Sequence, residues 1–488
     1  MNLNYWSGGS PISMGEILDA RESRAAIQKE MLKRNPGCLV CLTLNIPGPV
    51  KTFPFVRWLY EVGKGKLLET AELLSPSCKH AADPKLPGCM QEFREVKENT
   101  GYECFASLDL DPQAVKAALT HFEETHPVGR LFDFDVLRPD GTKVSRQELG
   151  YPQRTCLLCG SPAFLCGRSR RHSARELLER ELFLMERFFT ERMSVHLGLL
   201  MQKALLYEVN TFLKPGLVDH VHNGAHQDMC AATFVKSAYA LTPYFTDSAR
   251  LGLTWKGNPD DLPGLFAALR RRGIQAEAEM FSATGGVNTH KGVIFSGGIL
   301  CCALGCLLSR ENLLTSKGTL EDFSRLPGMV KSLLADQWTN PLPAAAAPAS
   351  KASCTHGEAL YLSHGIGGIR REAAAGFPSV FHKGFPLFVS CLKQDFSLNQ
   401  AGCLTLLSYI SFLEDTNLYI RAGYEKGRDI QQQLASFLSS RGPKEQLQIL
   451  PELDAYFTEH HISPGGSADM LALTYFLYFL SEKPCCFF

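Results

Sequence analysis

The chain has 488 residues, 45% of them hydrophobic and 20% charged, which predicts a packed protein of two or more domains and excludes a wholly disordered one. Its 50 basic and 50 acidic residues balance, so no overall field favours nucleic acid or an anionic membrane. The longest apolar stretches are too short or too interrupted to predict a membrane span. The 17 cysteines and the absence of a recognisable secretory signal indicate reduced thiols in a cytoplasmic protein.

The first part of the chain mixes helical and strand-like segments. The predicted elements are a helix at 17–32, strands at 38–46, 103–110 and 131–137, and a helix at 112–125. From Arg175 helical periods dominate, and the Ala/Pro-rich segment 341–353 is predicted to be a loop within the second domain. We therefore expect an α/β (α+β) domain over residues 1–179, followed by an all-α domain over residues 180–488.

Two aspartates flank Phe134 on the third predicted strand. Alternate residues of a strand face the same side, so Asp133 and Asp135 point in one direction. Such a pair suits Mg²⁺, which commonly bridges protein oxygens to substrate phosphates. A solvated strand face would give the same pattern.

A cluster of sulfur and nitrogen ligands follows this strand. Cys156, Cys159, Cys166 and His172 give the spacing C-x2-C-x6-C-x5-H, whose ligand types suit tetrahedral Zn²⁺. Reduced cysteines packed near a helix start would account for the same residues. The neighbouring arginines, which match phosphate oxygens or a solvated helix end, are Arg154, Arg168, Arg170, Arg171 and Arg175.

The segment Thr284–Gly292 combines three glycines with polar side chains, and an apolar run begins at Val293. A glycine-rich loop with a lysine at a helix start is a ready anion site. It lacks the spacing of the Walker phosphate loop. An ordinary turn with polar caps is the alternative.

A second polar group lies upstream of this loop. It contains Glu208, Lys214, Asp219, His226 and Asp228. Carboxylates near a lysine and a glycine turn suit a metal–phosphate group, whereas polar residues capping helices would give the same composition.

Four ordered motifs in the first domain resemble the apo-citrate lyase phosphoribosyl-dephospho-CoA transferase family. They are Asp19–Arg24, Leu44–Lys51, His126–Asp135 and Arg154–Cys159 with Arg168–His172. That family moves phosphoribosyl-dephospho-CoA onto a serine of the citrate lyase acyl carrier protein and releases pyrophosphate. The resemblance implies a nucleotidyltransferase-like domain in which Asp133 and Asp135 bind Mg²⁺ and Arg130 and Arg154 hold the pyrophosphate.

The second domain resembles triphosphoribosyl-dephospho-CoA synthase, over residues 180–488. The motifs are Lys214–Asp219, Gly224–His226, Asp228–Met229, Thr284–Gly292, Arg370–Ala373, Gly376–Pro378, Asp415–Asn417 and Ser463–Asp469. That family joins ATP to 3′-dephospho-CoA, expels adenine and leaves a triphosphoribosyl group on the ribose 2′-oxygen. The resemblance implies an all-helical fold.

Residue type and motif clustering then suggest roles in the second domain. Asp219 and Asp228 are expected to contact Mg²⁺ or the sugar, with His226 or Glu208 as the general base. Asp415, together with Asn417, is expected to complete the metal shell. The expected nucleotide-binding residues are Lys214, Thr284, Gly285, Gly286, Asn288, Thr289, His290, Lys291, Arg370 and Asn417.

The product of the second family is the substrate of the first, so the chain is interpreted as a bifunctional maturation enzyme of citrate lyase. The expected partners are the acyl carrier protein and small nucleotides, without nucleic acid or membrane. Two alternatives belong to other classes. One is a non-catalytic, zinc-stabilised RNA-binding protein, and the other is a helical metal-dependent hydrolase of ADP-ribose-type ligands.

Overall fold

A computed structural model describes residues 9–75, 87–310, 323–335 and 356–482. Contacts divide the chain between Phe189 and Thr190 into two compact units, unit 1 before the division and unit 2 after it. The division and the predicted boundary at 179/180 both fall within one helix, Ala174–Asn210. The loop predicted at 341–353 lies outside the described residues.

The described part of unit 1 consists of helices and one antiparallel sheet. Its elements are α1 (Met14–Arg34), β1 (Cys38–Leu44), α2 (Pro54–Leu74), β2 (Met90–Glu98), β3 (Gly101–Leu108), α3 (Pro112–Thr125), β4 (Phe132–Leu137), α4 (Ala163–Ser169) and the start of α5 (Ala174–Asn210). The strand order is β2-β3-β1-β4, with every neighbouring pair antiparallel. Unit 1 is therefore an α+β arrangement and not a parallel α/β sheet.

The sequence predictions for unit 1 are confirmed for five elements, α1, β1, β3, α3 and β4. They omitted α2, β2 and α4, and because β2 was omitted, the third predicted strand is the fourth strand of the structure. Local chemistry explains the helix starts. Ser13 and Glu16 form a reciprocal capping box at α1, and the Asp111 side chain accepts from the Ala114 N–H before Pro112 enters the first turn of α3.

Helices cover both faces of the sheet. On one face, Ile27 and Met31 of α1 pack against alternate sheet residues, among them Cys41 and Leu137. On the other, α2 contacts β1 and β3, and α3 contacts β4. Since Leu137 faces α1, the residues of the same parity, Asp133 and Asp135, lie on the α1 side of edge strand β4.

The described part of unit 2 is helical. After the C-terminal part of α5 come α6 (Ala231–Leu253), α7 (Leu262–Thr284), α8 (Lys291–Arg310), α9 (Leu326–Leu334), α10 (His356–His364), α11 (Gly368–Ala374), α12 (Phe385–Lys393), α13 (Leu398–Phe412), α14 (Thr416–Ala422), α15 (Tyr424–Ser440), α16 (Pro443–Gln448), α17 (Leu450–Glu459) and α18 (Gly465–Glu482). The all-α expectation for this part is confirmed within the described residues.

Helix α8 is a long, apolar and almost fully buried element of unit 2. Its segment Lys291–Ser309 is long and apolar enough to cross a membrane, yet 83% of it is buried inside the protein. Close packing against α6 accounts for this burial. A Cβ at Gly252 of α6 or at Gly305 of α8 would collide with the backbone of the other helix, so both positions require glycine.

Candidate functional site

A cavity of about 270 Å³ lies among helix ends of unit 2. It is bounded by the loop after α5, the start of α8 and the starts of α14 and α18. The predicted residues that line it are Glu208, Lys214, His226, Asp228, Asn288, Thr289, His290, Lys291 and Asn417. Both polar groups recognised in the sequence thus contribute to one cavity.

Lys214 and Glu208 form a buried ion pair at the cavity wall. The Lys214 ammonium donates to the Glu208 carboxylate and, at 2.7 Å, to the Glu208 carbonyl oxygen. Burial raises the pKa of Glu208, although the Lys214 charge opposes this shift. The Lys214 ammonium is therefore held in place at the cavity wall by two oxygens of a single residue, Glu208.

Both ring nitrogens of His226 have polar contacts. Its Nε2 lies 2.9 Å from the Ser463 hydroxyl, while Nδ1 lies 3.4 Å from an Arg421 nitrogen and 3.7 Å from the Asp228 carboxylate. Burial, together with the Arg421 charge, lowers the pKa of His226. The imidazole is thus kept neutral near pH 7 and is able to accept a proton.

The segment Thr284–Gly292 is divided between two structural roles. Thr284, Gly285 and Gly286 end α7, where Thr284 donates to the Met280 carbonyl and the Gly286 N–H to Phe281. These three residues do not line the cavity. Asn288 to His290 lead into α8, and together with Lys291 and Gly292 of its first turn they line the cavity. Only this second half therefore presents a helix N-terminus to a ligand.

Two side chains of this segment, those of His290 and Lys291, have partners within the protein. The Nδ1 atom of His290 lies 2.7 Å from the Ser237 hydroxyl, and burial lowers the pKa of His290 to about 3. The Lys291 ammonium lies 3.0 Å from the Glu277 carboxylate. His290 is therefore a neutral polar group of the wall, and Lys291 lies at its more exposed edge.

Asp469 of α18 was not singled out from the sequence, but it lines the cavity. Its carboxylate faces the cavity and the Gly292 backbone. Removal from bulk water, with the Asp415 and Glu208 carboxyls nearby, raises the pKa of Asp469 well above its usual value. The signal was present in the Ser463–Asp469 motif, where the glycines and serines drew attention to helix capping.

Asp415 lies behind the cavity wall, where each oxygen binds the start of a helix. One oxygen accepts from the N–H groups of Asn417 and Leu418, and the other accepts from the Ser467 N–H at 2.7 Å and its hydroxyl at 3.0 Å. Asp415 is not among the residues that line the cavity. Its observed contacts are those of a double helix cap.

Asp219 and Arg370 also lie outside the cavity lining. One Asp219 oxygen accepts from the N–H groups of Val221 and His222, and this contact shapes the loop after α5. The other oxygen is buried without a hydrogen-bond partner in the described part of the chain. Arg370 belongs to the short helix α11.

In unit 1, Arg154 connects the acidic residues of edge strand β4 and α3. Its guanidinium lies 2.7 Å from the buried Glu123 carboxylate and 3.4 Å from that of Asp133. It also donates to the Phe132 carbonyl at 3.2 Å. The second predicted aspartate, Asp135, pairs with the Lys143 ammonium. This part of unit 1 places alternating charges along the strand edge.

Three arginines converge beside this strand edge. Arg130 donates to the Thr155 carbonyl, and the Glu124 carboxylate lies between Arg130 and Arg146. Burial and the charge of Arg154 lower the pKa of Arg130. Arg146, which sequence reasoning missed, keeps Nε and Nη1 buried without a hydrogen-bond partner in the described residues. Such donors suit an anion with several oxygens.

The four ligand residues predicted for zinc lie together and form what is called here the thiol cluster: Cys156, Cys159, Cys166 and His172. One ligand atom from each lies within 4.8 Å of the others. A hydrogen bond from His172 lowers the pKa of Cys159 to about 5. Within the described residues, this is a compact soft-ligand site next to the arginines.

Hard oxygen ligands suited to Mg²⁺ are present in both units. Asp133 and Asp135 are partly exposed on one strand face, and Asp469 and Asp228 open onto the cavity. These oxygens fit the ion's preference for carboxylates combined with substrate phosphates. The Asp135 carboxylate is shared with Lys143, so a cation there would compete with an existing ion pair.

Two protein families match this chain, one over most of unit 1 and the other over most of unit 2. Residues 12–187 match the model of the apo-citrate lyase phosphoribosyl-dephospho-CoA transferase family. Residues 194–486 match that of the ATP:dephospho-CoA triphosphoribosyl transferase family. The class of protein is therefore a fused pair of transferases.

Relatives with the same two-part organisation identify the family. "Protein CitXG" of Leuconostoc mesenteroides is 35% identical, covering 97% of this chain and 98% of the relative. "Protein CitXG" of Haemophilus influenzae is 33% identical and covers 97% of both. A probable 2-(5''-triphosphoribosyl)-3'-dephosphocoenzyme-A synthase of Streptococcus mutans is 37% identical over 60% of this chain and 99% of its own length. The chain belongs to the CitXG family.

Proposed function

We propose that this protein matures citrate lyase in two steps. Unit 2 joins ATP to 3′-dephospho-CoA and releases adenine, and unit 1 transfers the resulting phosphoribosyl-dephospho-CoA to a serine of the acyl carrier protein with release of pyrophosphate. Family membership of both parts supports this order of reactions. The structural observation that carries the first step is the meeting of Lys214, Glu208 and Asp469 in one cavity.

The first reaction exchanges one bond at a ribose carbon. The bond from C1′ to adenine breaks, a bond to the 2′-oxygen of dephospho-CoA forms, and positive charge develops on the sugar between these events. The Asp228 carboxylate lines the cavity and is suited to stabilise this charge. Asp469 also lines the cavity, and because its pKa is raised well above the usual value, its carboxyl is suited to give a proton to departing adenine. The hydroxyl proton must go to a base, and departing adenine must gain a proton.

We assign the base to His226 and leave Glu208 as the partner of Lys214. His226 is neutral near pH 7 because burial lowers its pKa, and Ser463 fixes its orientation at 2.9 Å. Glu208 is engaged by the Lys214 ammonium, which limits its use as a proton acceptor. The triphosphate, which must stay intact, is suited to Lys214 and to the N-terminal end of α8.

In the second reaction the carrier serine oxygen attacks a phosphorus atom, and the bond to pyrophosphate breaks. Arg130, Arg146 and Arg154 offer forked donors for the leaving pyrophosphate. Asp133 and Asp135 would hold Mg²⁺, which offsets charge on the attacking and leaving oxygens when bound. This chemistry favours a nucleotidyltransferase-like interpretation of the unit 1 fold, in a cytoplasmic protein whose substrates are nucleotides.

The proposal is tested by supplying the purified chain with ATP and 3′-dephospho-CoA, then with the carrier protein. Mass spectrometry should show free adenine, a triphosphoribosyl adduct and finally a heavier carrier serine. Asp228→Ala should abolish adenine release, whereas Asp135→Ala should leave adenine release intact and stop carrier labelling. Labelling by Asp135→Ala supplied with the adduct would remove this residue from the mechanism.

The alternatives predict different outcomes in this mixture and in a separate titration with RNA. Net hydrolysis of ATP without an adduct would favour the helical hydrolase. Salt-dependent RNA binding without either transfer would favour the zinc-stabilised RNA-binding protein.

A further inference from the structure

We propose that the thiol cluster binds one structural Zn²⁺, and that this ion holds the segment carrying Arg154 against the edge of strand β4. The metal site itself stands independently of the reaction. The consequence for Arg154 rests on the proposed carrier transfer by unit 1.

The ligand geometry fits a tetrahedral ion. Zinc–sulfur bonds of about 2.3 Å place the sulfurs of a tetrahedral site about 3.8 Å apart. The Sγ atoms of Cys159 and Cys166 are 3.4 Å apart, and one ligand atom of each cluster member lies within 4.8 Å of the others. The Nε2 atom of His172 is buried without a hydrogen-bond partner among the described residues. Three sulfurs and one imidazole thus complete a Cys₃His set.

The backbone around the first two ligands already has the required shape. The Cys156 N–H donates to the Ser161 carbonyl at 2.6 Å, and the Gly160 N–H donates back to Cys156 at 3.2 Å. Gly160 adopts φ +69°, a left-handed conformation that glycine tolerates without strain. A bridge between Thr155 and Pro162 closes the turn. The Cys-x2-Cys-Gly turn therefore presents both thiols to one point.

The other two ligands are brought back to this point by a second turn. Cys166 is the buried residue of α4. Arg170 ends that helix in the left-handed region, with φ +46°, and lets the Arg171 N–H reach the Cys166 carbonyl at 3.2 Å. His172 follows directly. A left-handed arginine is an uncommon conformation, and one bound ion contacting both sides of the turn would stabilise it.

The turn that carries Cys156 and Cys159 is directly connected to two of the arginines proposed to bind pyrophosphate, Arg154 and Arg130. Arg154 lies two residues before Cys156, and its carbonyl accepts a hydrogen bond from the Ala163 N–H at 2.8 Å. The next carbonyl, that of Thr155, accepts from the Arg130 guanidinium. Loss of the ion would release this turn and both arginine contacts together. The ion therefore acts as a positioning group for the leaving pyrophosphate and does not touch the reacting atoms.

The test measures zinc by mass spectrometry in the full-length chain purified under reducing conditions. We expect about one Zn²⁺ per chain in the wild type and in Cys230→Ser, a matched control whose exposed cysteine lies in unit 2. Cys159→Ser should lose the ion and lower carrier labelling from supplied adduct at least tenfold. Adenine release should stay within about twofold. Cys159→His, which restores a nitrogen ligand, should recover zinc and labelling together.

Three results would overturn the proposal. Absence of zinc, together with failure to bind added Zn²⁺ in a titration of the reduced chain, would remove the metal site. A disulfide between Cys159 and Cys166 in the protein from reduced cells would assign the cluster to redox chemistry. Full labelling by zinc-free Cys159→Ser would remove the positioning role. If the wild type labels no carrier, the metal content still decides the site, while the proposed transfer fails separately.

Discussion

The backbone of Gly292 lies directly against the carboxylate of Asp469, with no space for a Cβ atom between them. Gly292 belongs to the first turn of α8, and Asp469 belongs to α18. The two helices meet at the cavity that contains the Lys214–Glu208 pair. A glycine in the first turn of α8 thus sets how closely the Asp469 carboxyl approaches this end of the cavity.

Gly292→Ala should impair the first reaction specifically. The added methyl group would push Asp469 away from the cavity, and misplacement of a reacting group by about 1 Å can cost on the order of 100-fold in rate. We expect adenine release to fall by this order, while carrier labelling from supplied adduct is retained. Quantifying both products by chromatography checks the prediction.

Gly264→Ala is the matched control, because a Cβ at this position of α7 meets nothing within 4 Å. It should release adenine at the wild-type rate. Normal adenine release by Gly292→Ala would show that α18 yields to the methyl group and that Asp469 is not needed where it now lies.

Arg146→Gln should weaken the second reaction. The substitution removes a guanidinium with two buried donors that have no partner in the described residues, beside Arg130 and Arg154. Hydrogen bonds to charged groups contribute about 1.5–3 kcal/mol, which corresponds to a loss of roughly 10- to 100-fold in kcat/KM for carrier labelling. Arg138→Gln, which removes the partner of Glu148, should have little effect. Equal losses in both variants would indicate a general disturbance of unit 1.

Glu181 should make the stability of unit 1 dependent on pH. The residue is 2% exposed, and burial raises the pKa of its carboxyl to about 8, with Lys51 opposing the shift. The folded state therefore holds the proton more tightly than the unfolded state. The resulting stabilisation is complete below the unfolded pKa of about 4.3 and is lost as the pH rises through 8, at no more than about 1.4 kcal/mol per pH unit.

Glu181→Gln keeps the shape of the side chain but removes this titration. The melting temperature of the variant minus that of the wild type should increase from pH 6 to pH 9, as measured by scanning calorimetry. A difference that stays constant over this range would mean that the Glu181 carboxyl ionises normally in the folded protein.

The Lys214–Glu208 pair should be more costly to break than to remove. Lys214→Met leaves the Glu208 carboxylate buried without its partner, which typically destabilises a protein by about 3–5 kcal/mol. Combining it with Glu208→Gln should restore most of the lost melting temperature, because no unpaired charge remains. Adenine release should stay absent in the double variant, since the triphosphate has lost its lysine. Recovered activity would exclude Lys214 from triphosphate binding.

Local patterns predicted unit 1 where chemistry and periodicity agreed. The helix at 112–125 has a capping aspartate and a proline in its first turn, and the structure has the same bounds. Helix α2 was missed because its Phe, Trp and Tyr residues and its burial on several sides mask the helical period. Strand β2 was missed because it lies at the sheet edge, where five of its nine residues are exposed and charged residues interrupt the apolar pattern.

The candidate site was predictable only in part, because it is assembled from distant positions. The polar run around Lys214 and the loop before α8 stood out locally, and both reach the cavity. The contact between Gly292 and Asp469 joins two helices far apart in the sequence, which no local pattern records. The turn residues Thr284–Gly286 look like a ligand loop, but their hydrogen bonds are used to end α7.

Asp415 joins the beginnings of α14 and α18 through its two oxygens. The two helix starts that carry Asn417 and Asp469 are therefore tied to each other. A shift of either helix start would break Asp415 contacts that also hold the other start. Adaptation of this enzyme to a bulkier or smaller nucleotide would therefore have to arise at cavity-lining side chains outside these two helix starts, such as Met229 and Phe234.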